Sequence, residues 1–196
     1  MPATFGTNGY TTFACPRPLD LTTANLPSGL KAYKAAVDGT TVRFTEINQT
    51  VPANTGMLLA GTVSTTYNIP VADSGTTLEG NAFLVNSTGG TFTADDGYTY
   101  FGLIKNSETL TFGTFNPASV AIPTNKAYLK VLTSSLPTSA RQLTSVFSDE
   151  SQGITDVTSA GSAQAQDYGI YNLSGQRVDK PAKGLYIVNG KKIIIK

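Results

Sequence analysis

Acid–base chemistry in this chain would have to come from carboxylates, because its 196 residues include no histidine and a single cysteine. Without imidazole there is no Ser-His-Asp or Cys-His arrangement, no usual zinc site and no histidine base. A pair of Asp or Glu side chains facing each other across a cleft, with their pKa values driven apart, could still cleave glycosidic bonds. The candidates are Glu46, Glu79, Asp95, Asp96 and Glu108. Most fall at predicted turns, and Asp95-Asp96-Gly97 reads as a loop between strands. We therefore read the chain as non-catalytic. Asp95 and Asp96 offer the hard oxygen ligands that calcium takes, but the spaced Asp ladder of a calcium loop is missing, so they stand as a bare candidate pair. No phosphate-cradling Gly-rich loop and no dinucleotide fingerprint occurs, and no cofactor is expected.

Binding chemistry has more material. Nine tyrosines could lie flat against sugar rings while Asn, Asp and Thr bond the hydroxyls. Tyr98 and Tyr100 share one face of a predicted strand, and Tyr33 and Tyr128 lie on others. A carbohydrate-binding β-sandwich using these rings is the alternative reading; the absence of Trp counts against it, and the same rings serve equally well as core. A plain spacer should expose no large aromatic patch, whereas a lectin or adhesin should.

The elements that would position these residues are almost all strands. Alternating apolar residues bounded by Gly, Pro, Asn and Asp predict strands over 10–14, 30–36, 40–47, 57–59, 66–71, 82–85, 98–104, 110–115, 126–132 and 141–147. Turn signals separate them at Asp38-Gly39, Asp73-Ser74-Gly75, Gly89-Gly90, Asp95-Asp96-Gly97 and Asn106-Ser107. Val42 and Phe44 alternate with Arg43 and Thr45, so the first two should face a core. This rhythm is that of an all-β fold, a β-sandwich of about ten strands, immunoglobulin-like or jelly-roll-like, over 1–147. Cys15 cannot form an internal disulfide and should be a small buried hydrophobe.

An internal echo reinforces that reading. Val51-Pro52-Ala53-Asn54-Thr55-Gly56-Met57-Leu58-Leu59 recurs 71 positions later as Ile122-Pro123-Thr124-Asn125-Lys126-Ala127-Tyr128-Leu129-Lys130. In each copy Pro breaks the preceding strand, Asn suits a turn, and the small Gly56 or Ala127 lets the next strand start close to a neighbour. The spacing suggests a duplicated unit of strand, strand, Pro turn and buried strand.

After residue 147 the composition changes. Residues 148–167 are rich in Ser, Ala, Gln, Thr and Asp and read as a linker. Residues 168–196 read as three short strands with tight turns, in which Asn189-Gly190 should fold 185–188 back antiparallel onto 191–195. The segment carries Tyr171-Asn172-Leu173-Ser174-Gly175-Gln176-Arg177-Val178, then Gly184-Leu185-Tyr186-Ile187-Val188, then Lys191-Lys192-Ile193-Ile194-Ile195-Lys196. In that order it resembles the type IX secretion sorting-like tails of Bacteroidetes secreted and surface proteins. The resemblance implies that Tyr171, Asn172, Gly175, Gln176, Val178, Gly184, Tyr186, Lys191, Lys192 and Lys196 serve secretion or anchoring, with the corresponding machinery as partner. Gly9-Tyr10-Thr11-Thr12-Phe13, Leu30-Lys31-Ala32-Tyr33 and the two Pro-Asn elements likewise resemble a β module found before such tails, which implies a non-catalytic accessory module.

Charge and hydropathy narrow the remaining classes. Charged residues make up 14% of the chain and the net charge is +1, with Thr, Ser, Asn and Gly where Lys and Glu usually sit; this favours an extracellular protein. No clustered Lys and Arg offer a nucleic-acid footprint. No run of 18 or more apolar residues could span a membrane as a helix, and nothing near Met1 has the layout of a signal peptide. The expectation is thus an exported, surface-located spacer or adhesion module whose partner is a glycan or another surface protein.

Overall fold

The computed structural model describes residues 1–104, 110–138, 140–148, 170–171, 184–188 and 191–195, the last three stretches as backbone only. The chain divides into two compact units, Met1–Gly153 and Ile154–Lys196. The first contains β1 (Pro2–Thr4), β2 (Tyr10–Phe13), β3 (Leu19–Asp20), β4 (Lys31–Asp38), β5 (Thr41–Glu46), β6 (Thr50–Val51), β7 (Met57–Ala60), β8 (Thr66–Asn68), β9 (Phe83–Val85), β10 (Tyr98–Leu103), β11 (Thr111–Phe115), β12 (Ala127–Leu132) and β13 (Gln142–Ser148). All ten predicted strands form, with ends shifted by one or two residues and 66–71 cut short at Asn68. The three that sequence reading misses, β1, β3 and β6, have two or three residues each, too few to display a period.

Nine strands join in one mixed sheet in the order β2-β7-β4-β5-β13-β11-β10-β12-β9. The all-β expectation is met, and the architecture is a half-barrel: a single long sheet curled on itself. The curl is visible in the rings. Phe44 on β5 and Phe83 on β9 are five places apart in the sheet, yet their centroids are 6.3 Å apart. Inside the curl Phe44, Leu58, Phe101, Phe112, Leu129 and Leu143 are fully buried. The other face of the first half carries a second core of Phe13, Leu19, Leu30, Met57, Leu59 and Ile69, capped by the small sheets β1–β8 and β3–β6. Val42 and Phe44 are buried while Arg43 is exposed, as their alternation requires. Cys15 is buried in the second core.

The two halves repeat one strand order on either side of β13, which runs parallel to β5 and antiparallel to β11. β2-β7-β4-β5 mirrors β9-β12-β10-β11. The pairings correspond residue by residue. Tyr33 opposite Leu58 matches Phe101 opposite Leu129, and Ala35 opposite Phe44 matches Leu103 opposite Phe112. In the sequence echo, the turns at 53–54 and 124–125 both lead into a buried strand. Asn54 takes φ 59°, a left-handed conformation that Asn tolerates better than most residues. Gly56 and Ala127, equivalent in the echo, meet where the sheet closes. A Cβ built on Gly56 would lie 2.9 Å from Phe83 Cβ and 3.0 Å from Ala127 Cβ. The small residues thus permit closure as well as the start of a strand.

The second unit is a three-stranded antiparallel sheet of β14 (Ile170–Tyr171), β15 (Gly184–Val188) and β16 (Lys191–Ile195), in the order β14-β15-β16. Val188 pairs with Lys191 and Gly184 with Ile195, the register that an Asn-Gly reversal demands. The predicted linker lies almost wholly outside the described residues.

Candidate binding cleft and the aromatic face

The sequence-predicted tyrosines do not assemble into a sugar platform. Tyr33 is buried against Phe147, with centroids 4.9 Å apart. Tyr100 and Tyr128 are buried with Phe92 and Phe115 on the outer face of the second half-sheet, their rings 6.0 Å apart and tilted by 43°. Of the four candidates only Tyr98 is substantially exposed, and Lys130 Nζ sits 4.0 Å above its ring. Two tyrosines do share one face of β10 as predicted, but sequence pattern does not tell that a loop covers that face at Tyr100 and leaves it open at Tyr98.

The covering loop is held by the residues that looked like a calcium pair. Asp95 Oδ2 accepts from Lys130 Nζ at 2.5 Å and from the Tyr100 hydroxyl at 3.2 Å, and Asp95 N–H donates to the same hydroxyl at 3.0 Å. Phe92 N–H donates to the Pro117 carbonyl, laying Phe92 over the cluster. The Lys130 ammonium, then the Tyr100 hydroxyl, hold the Asp95 carboxyl below the usual carboxylate range, and Asp95 raises the Lys130 ammonium. Desolvation raises the Tyr128 phenol. The Asp95 carboxylate is therefore committed to an ammonium, while Asp96 is exposed beside it; the two do not converge as metal ligands. Among the described residues no group of three or more His, Cys, Asp or Glu could hold a metal ion.

This clasp gives a pH prediction. Asp95 has a depressed folded pKa, so its contribution is present above the unfolded value and is lost as pH falls through the folded one. Lys130, raised, contributes below the ordinary lysine pKa and loses its contribution as pH rises through its higher folded value. The clasp should hold between about pH 4 and about pH 10.4, bounded by the ordinary Asp and Lys values. Acidification through the lowered Asp95 value, or Asp95→Asn at neutral pH, should reduce the protection of the amides of residues 91–97 relative to their intrinsic exchange rates, with little change in global stability, since the pair is at the surface. Unchanged protection in both conditions would rule the clasp out.

Glu46 accepts from Lys31 at 2.9 Å, the backbone carbonyl of Glu79 accepts from Lys34, and Glu108 lies outside the described residues.

A cleft of about 810 Å³ opens where the curl closes incompletely, between β2 and the far ends of β10 and β11. Its floor includes Gly102 and Gly113, which pair across β10 and β11. Its walls are Tyr10, Thr11 and Thr12 on one side and the segment through Ile122 and Pro123 on the other. Among the described residues Lys126 is its one charged lining residue, and its Nζ donates to Thr11 Oγ1 at 2.6 Å and to the Thr12 carbonyl at 3.2 Å. Among the described residues no carboxylate lines the cleft, and its mix of small, apolar and hydroxyl side chains has the makings of a binding site. Sequence reading did not find it, because it is assembled from segments about 90 residues apart.

No protein-family model, no curated protein and no solved structure matches the chain. In the C-terminal unit, Tyr171 lies on β14, Gly184 and Tyr186 on β15, and Lys191 and Lys192 on β16. Asn172, Gly175, Gln176, Val178 and Lys196 lie outside the described residues.

Proposed function

We propose that this chain is a non-catalytic accessory module of an exported bacterial surface protein, a spacer or adhesion domain followed by a C-terminal secretion or anchoring tail. The observation that carries the reading is the C-terminal hairpin. It sets the Gly-Leu-Tyr-Ile-Val strand beside the Lys-rich strand, in a unit separate from the main sheet. A β unit whose described strands pair only with one another is what a receptor-read address needs, since it can be recognised as a unit. The charge-poor, Thr-rich main sheet and the engagement of Glu46 and Asp95 with lysines support a role without chemistry. In this reading the partners are the secretion or anchoring machinery and, for the main sheet, another surface protein; burial of Tyr33, Tyr100 and Tyr128 weighs against a glycan.

The test is the intact mass of the protein recovered from the surface of its native cells. A C-terminus that lacks the segment from Tyr168 to Lys196 is the expected result for a cleaved address. A surface form that retains Lys196, together with unimpaired export of a chain truncated before Tyr168, would refute the tail's role.

A further inference from the structure

Strand β2 has one bonded edge and one open edge, and the open edge faces the cleft. Gly61 N–H donates to the Gly9 carbonyl, which fixes the alternation: residues 9, 11 and 13 bond to β7, while the backbone groups of Tyr10, Thr12 and Ala14 point the other way. Three of these outward groups are engaged. Ala14 N–H donates to the Asn125 carbonyl, the Thr12 carbonyl accepts from Lys126, and Tyr10 N–H makes a long contact of 3.4 Å with Asn8 Oδ1. Of the three that remain, the Tyr10 carbonyl and the Thr12 N–H belong to lining residues and face the cleft with no partner among the described residues, although the Thr12 residue is only 5% exposed. A backbone donor sequestered without a partner is costly, and its natural complement is another backbone.

The cleft floor points the same way. Gly102 sits inside β10, where glycine weakens a strand relative to alanine. Neither φ nor crowding requires it: its φ is not positive, and a Cβ there would meet nothing nearer than Phe115 Cδ1 at 3.5 Å, an ordinary contact. Interior-strand glycines mark bulges, tight bends or places where another backbone approaches closely, and Gly102 lines the open cleft, where the last of these applies.

We propose that this cleft takes up an extended peptide of a partner protein by strand addition to β2, and that Gly102 keeps the floor clear for it. In the parallel sense, one residue of the incoming strand would donate to the Tyr10 carbonyl and accept from Thr12 N–H; in the antiparallel sense two alternate residues would share the task. Among the described residues Lys126 is the one lining charge and it is already held by Thr11 and Thr12, so the segment complementary to these walls is neutral, with small β-forming side chains against the Gly102–Gly113 floor. The inference stands on the main sheet alone and does not depend on the role of the tail.

The test uses the full chain, labelled with nitrogen-15, and the capped hexapeptide acetyl-Thr-Val-Thr-Val-Thr-Val-amide as probe. Titration should shift the Thr12 amide signal and slow its exchange with solvent. N-methylation of alternate peptide residues should abolish both effects, and Gly102→Val, which fills the floor, should weaken binding by about tenfold or more while the melting temperature holds or rises. Equal binding of the N-methylated peptide would overturn strand addition. Binding of maltohexaose in place of the peptide would reassign the cleft to sugars, and no response at Thr12 to either probe would remove the site. If Gly102→Val fails to fold, the exchange of Thr12 N–H with and without N-methylation decides the matter on the unmodified chain.

Discussion

Phe44→Ala should destabilise the main unit by about 3–5 kcal/mol, a large share of the roughly 5–15 kcal/mol that holds a typical domain folded. Phe44 has no exposed surface, and its ring meets Phe83, Phe112 and Phe147 at 6.3, 6.0 and 5.3 Å. Those partners sit on β9, β11 and β13. Truncation would therefore leave a cavity at the point where both halves of the curled sheet meet, and backbone hydrogen bonds hold each strand too firmly for neighbours to collapse into it. The measurement is urea or thermal unfolding; at about 2–4 °C per kcal/mol for a chain of this size the melting point should fall by some ~6–20 °C. Phe147→Ala, in the same ring cluster but 37% exposed, should cost clearly less. A Phe44→Ala loss under about 1 kcal/mol would show that the curl is not held by these rings.

Gly75→Ala is expected to cost about 3 kcal/mol or more, at or beyond the top of the usual range for overpacking. The added Cβ would lie 2.0 Å from the carbonyl carbon of Val51 and 2.3 Å from its oxygen, so no rotamer change can relieve the contact. The loop must lift from β6 instead. That would break the hydrogen bond from Thr76 N–H to the Thr50 carbonyl and that from Gln49 Nε2 to the Thr76 carbonyl, and would uncover Val51, which is fully buried in the second core. Gly6→Ala serves as control, since a Cβ there meets nothing within 4 Å. Equal stability of the two variants would mean that the 73–76 loop does not close on β6.

Sequence reading located the strands well where a strand was long enough to alternate. It also marked Asp73-Ser74-Gly75 as a turn, but not as a lid pressed onto Val51, because the crowding comes from a segment more than twenty residues away. The same limit explains the tyrosines. Period-2 alternation says that Tyr98 and Tyr100 share a face; it cannot say that Phe92 and Asp95 fold back over one of them, since that depends on Lys130 arriving from β12. Asp95-Asp96 looked like ligands because carboxylates adjacent in sequence were all that could be seen; the ammonium that takes Asp95 is 35 positions away.

What the sequence by itself determined is local: the strand positions, the Asn-Gly register of β15 on β16, the alternation that buries Phe44, and the two matched Pro-Asn turns. These follow from backbone preferences and side-chain periodicity within a few residues. The tertiary structure alone decided that β13 lies between the two half-sheets, that Gly56 meets Ala127 where the sheet closes, and that β2 keeps an open edge beside a glycine floor. Those outcomes rest on pairings between distant strands. Every strand offers the same N–H and C=O groups on both edges, so which edge is paired and which is left open is settled only when the whole sheet has curled.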